Sequence, residues 1–154
     1  MNVRPFRPTD TSALAHLFFD TVHIINSADY SPEQIAAWAP EPADLDHWRA
    51  RLSHHTVFVA EKDTETVGFV TFEANGHLDH LYVHHRFQRQ GIATALYERV
   101  EREARSHAIQ RIFTEASITA RPFFERIGFQ LIAARTFEHR GVSFTNFRMG
   151  KLLL

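Results

Sequence analysis

The chain has 154 residues, enough for one domain, and 44% of them are hydrophobic, which is enough to form a buried core. Its 17 basic residues nearly balance 18 acidic ones, which argues against attachment to nucleic acid by bulk charge, and the lack of cysteine excludes disulfides, thiolate metal sites and cysteine nucleophiles. The sequence contains no long apolar run and no N-terminal signal pattern, so we expect one cytoplasmic domain over residues 1–154 that binds neither membrane nor nucleic acid.

The N-terminal third is predicted to be mainly helical. A short strand over Asn2 to Phe6 precedes an amphipathic helix whose apolar stripe runs from Leu14 to Val22. Ser31 to Gln34 forms a capping box with proline at the first helical position, which predicts a short helix that ends near Pro40. A further short helix around Trp48 leads into the sheet.

Three strands follow. Thr56 to Glu61 and Val67 to Glu73 are apolar and β-branched, with turn residues between them, and they predict a hairpin. Asn75-Gly76 is a strong turn signal, because both residues tolerate positive φ, and it leads into a third strand over His77 to Val83.

The C-terminal half alternates helices and strands. Gly91 opens a helix that runs to about His107, Ile109 to Ala116 is a strand, and Thr119 to Arg126 is a short helix. Phe129 to Ala133 and Val142 to Met149 are predicted to pair as a closing hairpin. This order of elements predicts an α+β or mixed α/β fold around one sheet.

The segment from Leu81 to Leu96 is the most informative part of the chain. A strand runs into a basic turn, and the small residues Gly91 and Ala93 then lead into a helix whose free N–H groups suit an anion such as a pyrophosphate. Arg86 and Arg89 add positive charge nearby. The small residues alone favour an ordinary strand-to-helix turn with a solvated basic face.

The full pattern resembles a known family. Gln88-x-x-Gly91-x-Ala93 after an apolar strand resembles motif A of the GNAT (GCN5-related N-acetyltransferase) superfamily, and Ala120-x-x-x-Phe124-x-x-x-Gly128-Phe129 resembles its motif B. The Asn75-Gly76 turn lies where the family has a hairpin. The resemblance implies a mostly antiparallel sheet of six to seven strands, splayed between the fourth and fifth and flanked by about four helices.

The resemblance also implies acetyl-CoA as co-substrate. Backbone N–H groups from Arg89 to Thr94 are expected to bind its pyrophosphate, and the main chain of Leu81 to Val83 to pair with its pantetheine arm. A bulge in the motif A strand is expected to aim an amide near Val83 at the thioester oxygen. The cofactor-binding residues so implied are Leu81, Tyr82, Val83, Gln88, Arg89, Gln90, Gly91, Ile92, Ala93, Thr94 and Phe124.

The general acid is an open question. In the family, a tyrosine four residues before the motif B glycine often protonates the leaving thiolate, and this chain has Phe124 at that position. Phenylalanine cannot donate a proton. Ser117, at the end of the preceding strand, is the nearest polar candidate, and water is the alternative.

His77 and Asp79 are the candidates for the base that deprotonates the amine. An imidazole, with an ordinary pKa of about 6.5, is matched to this task near neutral pH, so we favour His77. Strand alternation predicts that His77 and Asp79 share one face and that His80 and Tyr82 lie on the other. The same alternation argues against metal binding by neighbouring histidines, and we expect no metal.

The acceptor site is predicted from the residues between the first two strands. Those that suit a pocket are His23, Asp29, Tyr30 and Trp38, with Asp29 placed to hold a cationic amine. We therefore expect direct transfer of acetyl to a primary amine of a small molecule. The alternatives are an acyl-CoA binder with weak or no transferase activity and a protein N-terminal or lysine acetyltransferase. A homodimer, paired through the final hairpin, is a further candidate.

Overall fold

Over the residues that this computed structural model describes, 1–41 and 43–154, the chain forms seven β-strands and five α-helices. In chain order these are β1 (Asn2–Pro5), α1 (Thr11–Ile24), α2 (Pro32–Trp38), α3 (Leu45–Ser53), β2 (Thr56–Lys62), β3 (Glu65–Phe72), β4 (Leu78–Val83), α4 (Ile92–Ser106), β5 (Arg111–Ala116), α5 (Arg121–Arg126), β6 (Gln130–His139) and β7 (Val142–Leu152). None of the helices in this described part has the length and apolar character needed to cross a membrane.

Local hydrogen bonds explain where the first helices begin. The capping box of α2 is confirmed: Ser31 Oγ accepts from the Gln34 N–H at 3.1 Å, and Gln34 Oε1 accepts from the Ser31 N–H at 2.9 Å. Before α1, Asp10 accepts instead from the Arg7 N–H at 2.7 Å and pairs with Arg4 at 2.8 Å. These contacts tie the start of α1 to the first strand.

The strands form two antiparallel sheets, in the orders β1-β2-β3-β4 and β5-β7-β6. The two sheets join where β4 and β5 begin. There His77 and Phe113 form a parallel bridge, and the Phe113 N–H donates to Gly76 O at 3.0 Å. Thr114 Oγ1 adds a bond to Leu78 O at 2.8 Å. Beyond this point the strands diverge, which confirms the mixed α/β fold with a splay between the fourth and fifth strands.

Helices cover both faces of the first sheet. The apolar stripe of α4, with Leu96 and Val100 fully buried, packs under β2, β3 and β4. On the opposite face, Leu14 of α1 and Trp48 of α3 pack against Val59 of β2. Each buried side chain of this size stabilises the fold by about 1.5–3 kcal/mol. The result is a rigid platform on which β4 and the turn after it are held.

One element is longer than its sequence pattern predicts. The strand predicted over Phe129 to Ala133 extends as β6 through His139, and it pairs with β7 from Gln130↔Gly150 to His139↔Val142. β6 lies at the edge of its sheet and is largely exposed, so its residues do not show the alternation of a half-buried strand. The turn at Arg140-Gly141 closes the hairpin as expected.

The junction of the two sheets generates the first prediction. A Cβ added at Gly76, whose φ is +97°, would lie 2.3 Å from Arg111 O, whereas one added at Gly141, with φ +75°, would meet nothing within 4 Å. We expect Gly76→Ala to lower the free energy of unfolding by about 3 kcal/mol or more, because the strands must separate. The control Gly141→Ala should lower it by about 1 kcal/mol, from backbone strain alone. Equal losses in urea denaturation would contradict this account of the junction.

Candidate functional site

A cleft of about 830 Å³ opens between β4 and β5, and we name it the interstrand cleft. β4 contributes Leu81 and Val83 to its walls, and β5 contributes Thr114 and Ala116. Within the described residues, the edge of β4 that faces the cleft forms no ladder beyond the bridge at His77. An extended ligand with amide groups can therefore lie along this edge as an added strand.

The N-terminus of α4 lies at one end of the interstrand cleft. Gly91 adopts a left-handed conformation with φ +81°, and no side chain caps the helix. The first intrahelical bond runs from the Ala95 N–H to Gly91 O at 3.0 Å, so the N–H groups of Ile92, Ala93 and Thr94 precede the helical ladder. These N–H groups and the positive end of the helix dipole form a binding site suited to phosphate oxygens.

The turn before α4 is held in place by side chains. Gln88 Nε2 donates to Val83 O at 2.6 Å, and Thr21 Oγ1 donates to the same carbonyl at 3.3 Å. Arg89, two residues before Gly91 in the turn, adopts a left-handed φ of +59°. Gln90 is exposed and accepts from Lys62 at 3.3 Å, and it does not line the cleft. The other residues expected to bind the cofactor do line it: Leu81, Tyr82, Val83, Gln88, Arg89, Gly91, Ile92, Ala93, Thr94 and Phe124.

A second cavity, of about 470 Å³, lies between the helical N-terminal region, β4 and the β6–β7 hairpin. We name it the aromatic cavity, because its walls carry many aromatic side chains. Among these, Tyr30 and Trp38 pack edge to face with centroids 5.1 Å apart. The aromatic residues that line it are Phe18, Phe19, Tyr30, Trp38, Trp48, Tyr82, Phe137 and Phe144.

The aromatic cavity is closed on one side by α2, which is fastened to the β6–β7 hairpin. Gln34 Nε2 donates to Ser143 O at 3.0 Å, and Arg140 donates to Ala37 O at 2.6 Å. His23 bonds to Ala39 O at 2.8 Å and supports the end of α2 from α1. Because these contacts hold the helix over the cavity, they favour a compact ligand over an extended chain.

The structure separates the four residues predicted for the acceptor site. Tyr30 and Trp38 line the aromatic cavity, whereas His23 and Asp29 line neither cavity. His23 stacks on Phe19 with centroids 4.0 Å apart, and Asp29 accepts from Thr119 Oγ1 at 2.8 Å. Both are thus engaged in holding the N-terminal helices in place.

Five residues line both cavities, and we name them the shared wall: Trp38, Asp79, Tyr82, Glu115 and Ser117. The interstrand cleft and the aromatic cavity adjoin at these residues. Sequence reasoning did not select Glu115, although its position offered a signal, since it is the one acidic residue within the strand Arg111–Ala116. A carboxylate between buried neighbours of a strand indicates a special environment.

The predicted alternation along β4 is wrong. The register with β3 shifts where Thr71 pairs with His80 and Phe72 pairs with Leu78, so Asp79 forms a bulge. As a result Asp79, His80 and Tyr82 all line the aromatic cavity. A bulge inserts one extra residue into a strand, and side chains on either side of it no longer alternate. The expected bulge in this strand thus lies at Asp79.

His77 lies between two carboxylates at the start of β4. Its Nδ1 contacts Glu73 at 2.7 Å and its Nε2 contacts Glu115 at 2.9 Å, while its ring stacks on Phe113. These contacts, chiefly that with Glu115, raise the pKa of His77 to about 9. His77 lines neither cavity, so it reaches the shared wall only through Glu115.

Positive charge also holds the carboxylates of the shared wall in the ionised form. The bond with His77 lowers the pKa of Glu115. Burial acts to raise the pKa of Asp79, but its neighbours lower it overall. Since burial lowers the pKa of His80 to about 4, the cation beside Asp79 at neutral pH is Arg51, which bonds its Oδ2 at 2.7 and 3.1 Å. The wall therefore presents two negative charges at neutral pH.

Glu115 has one carboxylate oxygen without a partner. Its Oε1 accepts from His77, whereas Oε2 is buried and has no hydrogen-bond donor among the described residues. Leaving a buried acceptor unsatisfied costs about 1–3 kcal/mol. A hydrogen-bond donor brought by a ligand or a water molecule would relieve this cost, so Oε2 is a free acceptor at the shared wall.

Comparisons with known proteins identify the family. The model described as "Acetyltransferase (GNAT) domain" matches residues 26–151. The uncharacterized N-acetyltransferase YafP of Escherichia coli K12 is 36% identical over 149 residues, 97% of this chain and 94% of that protein. A GCN5-related N-acetyltransferase from Rhodopseudomonas palustris has a TM-score of 0.94 at 30% identity, over 99% of this chain and 95% of that one.

A structure of YncA from Salmonella typhimurium, solved with its cofactor acetyl-CoA, has a TM-score of 0.75 at 18% identity, over 99% of this chain and 93% of that one. At this identity the likeness shows a shared fold. The family model and the two more similar proteins show membership of the family, because these matches extend over most of the chain. The chain therefore belongs to the GNAT family and is an N-acetyltransferase.

Proposed function

We propose that this N-acetyltransferase transfers acetyl from acetyl-CoA directly to the primary amine of a small molecule with an apolar body. The observation that carries the proposal is the shared wall, where a cleft with a helix terminus suited to phosphate meets an aromatic and acidic cavity. A donor held in one cavity and an acceptor held in the other would meet at Asp79 and Glu115.

The interstrand cleft fits acetyl-CoA. The N–H groups before Ala95 suit its pyrophosphate, and a Cβ at Gly91 would meet nothing within 4 Å, so the approach to the backbone is open. The free edge of β4 suits the amides of the pantetheine arm. When bound, acetyl-CoA supplies an activated thioester. Acetyl-CoA in the related fold of YncA supports the same choice of donor.

The aromatic cavity fits a cationic amine on an apolar body. Aromatic faces attract a cation and bury an apolar group, and the carboxylates of Asp79 and Glu115 attract an ammonium. The contacts that fasten α2 to the β6–β7 hairpin hold one wall of the cavity in place. These features favour a small molecule over a protein N-terminus or a lysine side chain.

We assign the removal of the ammonium proton to Glu115 Oε2, which has no donor of its own. His77, predicted from sequence as the base, has a pKa of about 9 and is an imidazolium at neutral pH, so it has no free nitrogen to accept a proton. Its proposed role is to orient Glu115 and keep it ionised. Asp79, which is held by Arg51, is assigned to attract and position the ammonium.

An amine panel tests the proposed function. We expect release of thiol from acetyl-CoA with small arylalkyl amines such as phenethylamine, at a kcat/KM at least about tenfold above that for alanyl or lysyl peptides, because the aromatic and acidic lining complements a cationic amine on an apolar body. Glu115→Gln should lower kcat by about a hundredfold and leave the Kd of acetyl-CoA unchanged. A preference for peptides, or activity that survives in Glu115→Gln, would refute the acceptor class or the base.

Binding of acetyl-CoA tests the phosphate site separately. Gly91→Glu should abolish binding in calorimetry, because it places bulk and negative charge beside the N–H groups of α4. Gly141→Glu is the matched control, since Gly141 also has a positive φ and open space but lies in the hairpin turn. Retention of wild-type affinity by Gly91→Glu would exclude this site for the pyrophosphate.

The pairing of His77 with Glu115 and Glu73 predicts a pH dependence of stability. A raised pKa in the folded state means that the pairing stabilises the protein fully below about pH 6.5 and is lost as the pH rises through about 9. The wild type should therefore lose on the order of 2 kcal/mol relative to His77→Gln between about pH 6 and about pH 10. Denaturation curves measure this difference, with the exposed His107→Gln as control. A constant difference between wild type and His77→Gln would contradict the pairing.

A further inference from the structure

A thiol that leaves a thioester departs as a thiolate and needs a proton. Phe124 lines the interstrand cleft but has no proton to give. Among the hydroxyl groups at or beside the shared wall are those of Ser117, Tyr82 and Tyr30. Their different surroundings indicate which of them can act together.

Tyr30 lies between α1 and α2 in the chain, and its phenol contacts the backbone just after β5. Its Oη accepts from the Ile118 N–H at 2.8 Å, and the Ser117 hydroxyl lies beside it. Its ring is buried and held between Trp38 and Phe144. Because the phenol oxygen already accepts the Ile118 N–H, its own O–H can be donated to a neighbour, and Ser117, the residue before Ile118, offers a hydroxyl that can rotate to accept it.

Ser117, like Tyr82, lines both cavities. Its Oγ accepts from the Ala120 N–H at 3.0 Å, which fixes the oxygen and leaves its proton free to point into the cleft. A serine hydroxyl alone is a poor acid. This difficulty is removed if the phenol of Tyr30 donates its proton to Ser117 Oγ as serine loses its own. The negative charge then rests on a phenolate bonded to a backbone N–H.

Tyr82 is less suited to the same task. Its ring is packed between Phe18 and Phe69, with centroids 5.0 and 5.9 Å away. Burial raises the pKa of its phenol strongly, and the structure records no backbone N–H donated to its oxygen. Burial also raises the pKa of Tyr30, but the Ile118 N–H and the Ser117 hydroxyl act in the opposite direction.

We propose that Tyr30 and Ser117 form a hydroxyl dyad that protonates the leaving thiolate, in place of the phenol absent at position 124. The inference rests on the proposed acetyl transfer. Glu115 takes the first ammonium proton and passes it to solvent, and the amine lone pair then forms the N–C bond.

As the C–S bond breaks, its electron pair goes to sulfur. Ser117 gives its Oγ proton to that sulfur, and Tyr30 gives its Oη proton to Ser117 Oγ. The second proton lost from the acetylated nitrogen returns the phenolate of Tyr30 to phenol. The sum is one amide, one thiol and one proton released to solvent.

Free CoA bound to the protein provides a test that needs no acceptor. The dyad donates a hydrogen bond towards sulfur, which favours the thiolate, so the pKa of the bound thiol should be lower in wild type than in Tyr30→Phe by about one unit. Titration of the thiolate absorbance in the ultraviolet measures it. Ser117→Ala should give the same rise, and the double variant should show no further rise, because the two hydroxyls act in series.

Two tyrosine variants serve as comparisons. Tyr97→Phe removes a phenol that bonds to Glu101 at 3.0 Å and lines neither cavity, so it should leave the thiol pKa unchanged. An unchanged thiol pKa in Tyr30→Phe, additive effects of Tyr30→Phe and Ser117→Ala, or a rise confined to Tyr82→Phe would overturn the dyad. With an accepted amine, Tyr30→Phe should also lower kcat by about tenfold or more at unchanged Kd for acetyl-CoA.

The two proposals fail in different ways. If the wild type acetylates no amine in the panel, the proposed function is refuted while the thiol titration still reports on the dyad. If amines are acetylated but the thiol pKa of Tyr30→Phe equals that of wild type, the function stands and the dyad does not.

Discussion

The site depends on a short junction between two sheets. The bond from the Phe113 N–H to Gly76 O and the bridge beside it hold the starts of β4 and β5 together. Because each sheet follows its own twist and β5 pairs with β7, the two strands separate beyond this point. The separation exposes the edge of β4, and the helix that follows β4 brings its N-terminus to the mouth of the same opening.

Charge compensation is the second constraint. Asp79 and Glu115 lie where two cavities meet, and half-buried carboxylates remain ionised only if cations or donors accompany them. Arg51 from α3 accompanies Asp79, and His77 accompanies Glu115. The histidine that sequence reasoning selected as a base is thus part of the electrostatic support of another residue. Its proposed function follows from its neighbours and not from its residue type.

The interpretation of β4 shows the limits of periodicity. An ideal strand places residues i and i+2 on one face, and that rule separated Asp79 from His80 and Tyr82. The bulge at Asp79 brings all three to the aromatic cavity. A bulge depends on the register with β3, which is a property of two strands and is not encoded in the spacing of one. Glu115 was missed for a related reason, since its importance comes from the distant His77 and from the cavities on either side.

Local sequence patterns were enough to predict the order of the helices and strands and the family. Capping at Ser31, the turn at Asn75-Gly76 and the small residues at Gly91 and Ala93 act locally, so spacing along the chain was enough to predict a mixed α/β fold and its resemblance to acetyltransferases. The tertiary structure decided which side chains meet. Tyr30 comes to lie at the end of β5, 88 positions before Ile118, whose N–H it accepts, and it packs there with α2 and with Phe144 of β7. Such contacts depend on packing between elements that no local pattern specifies.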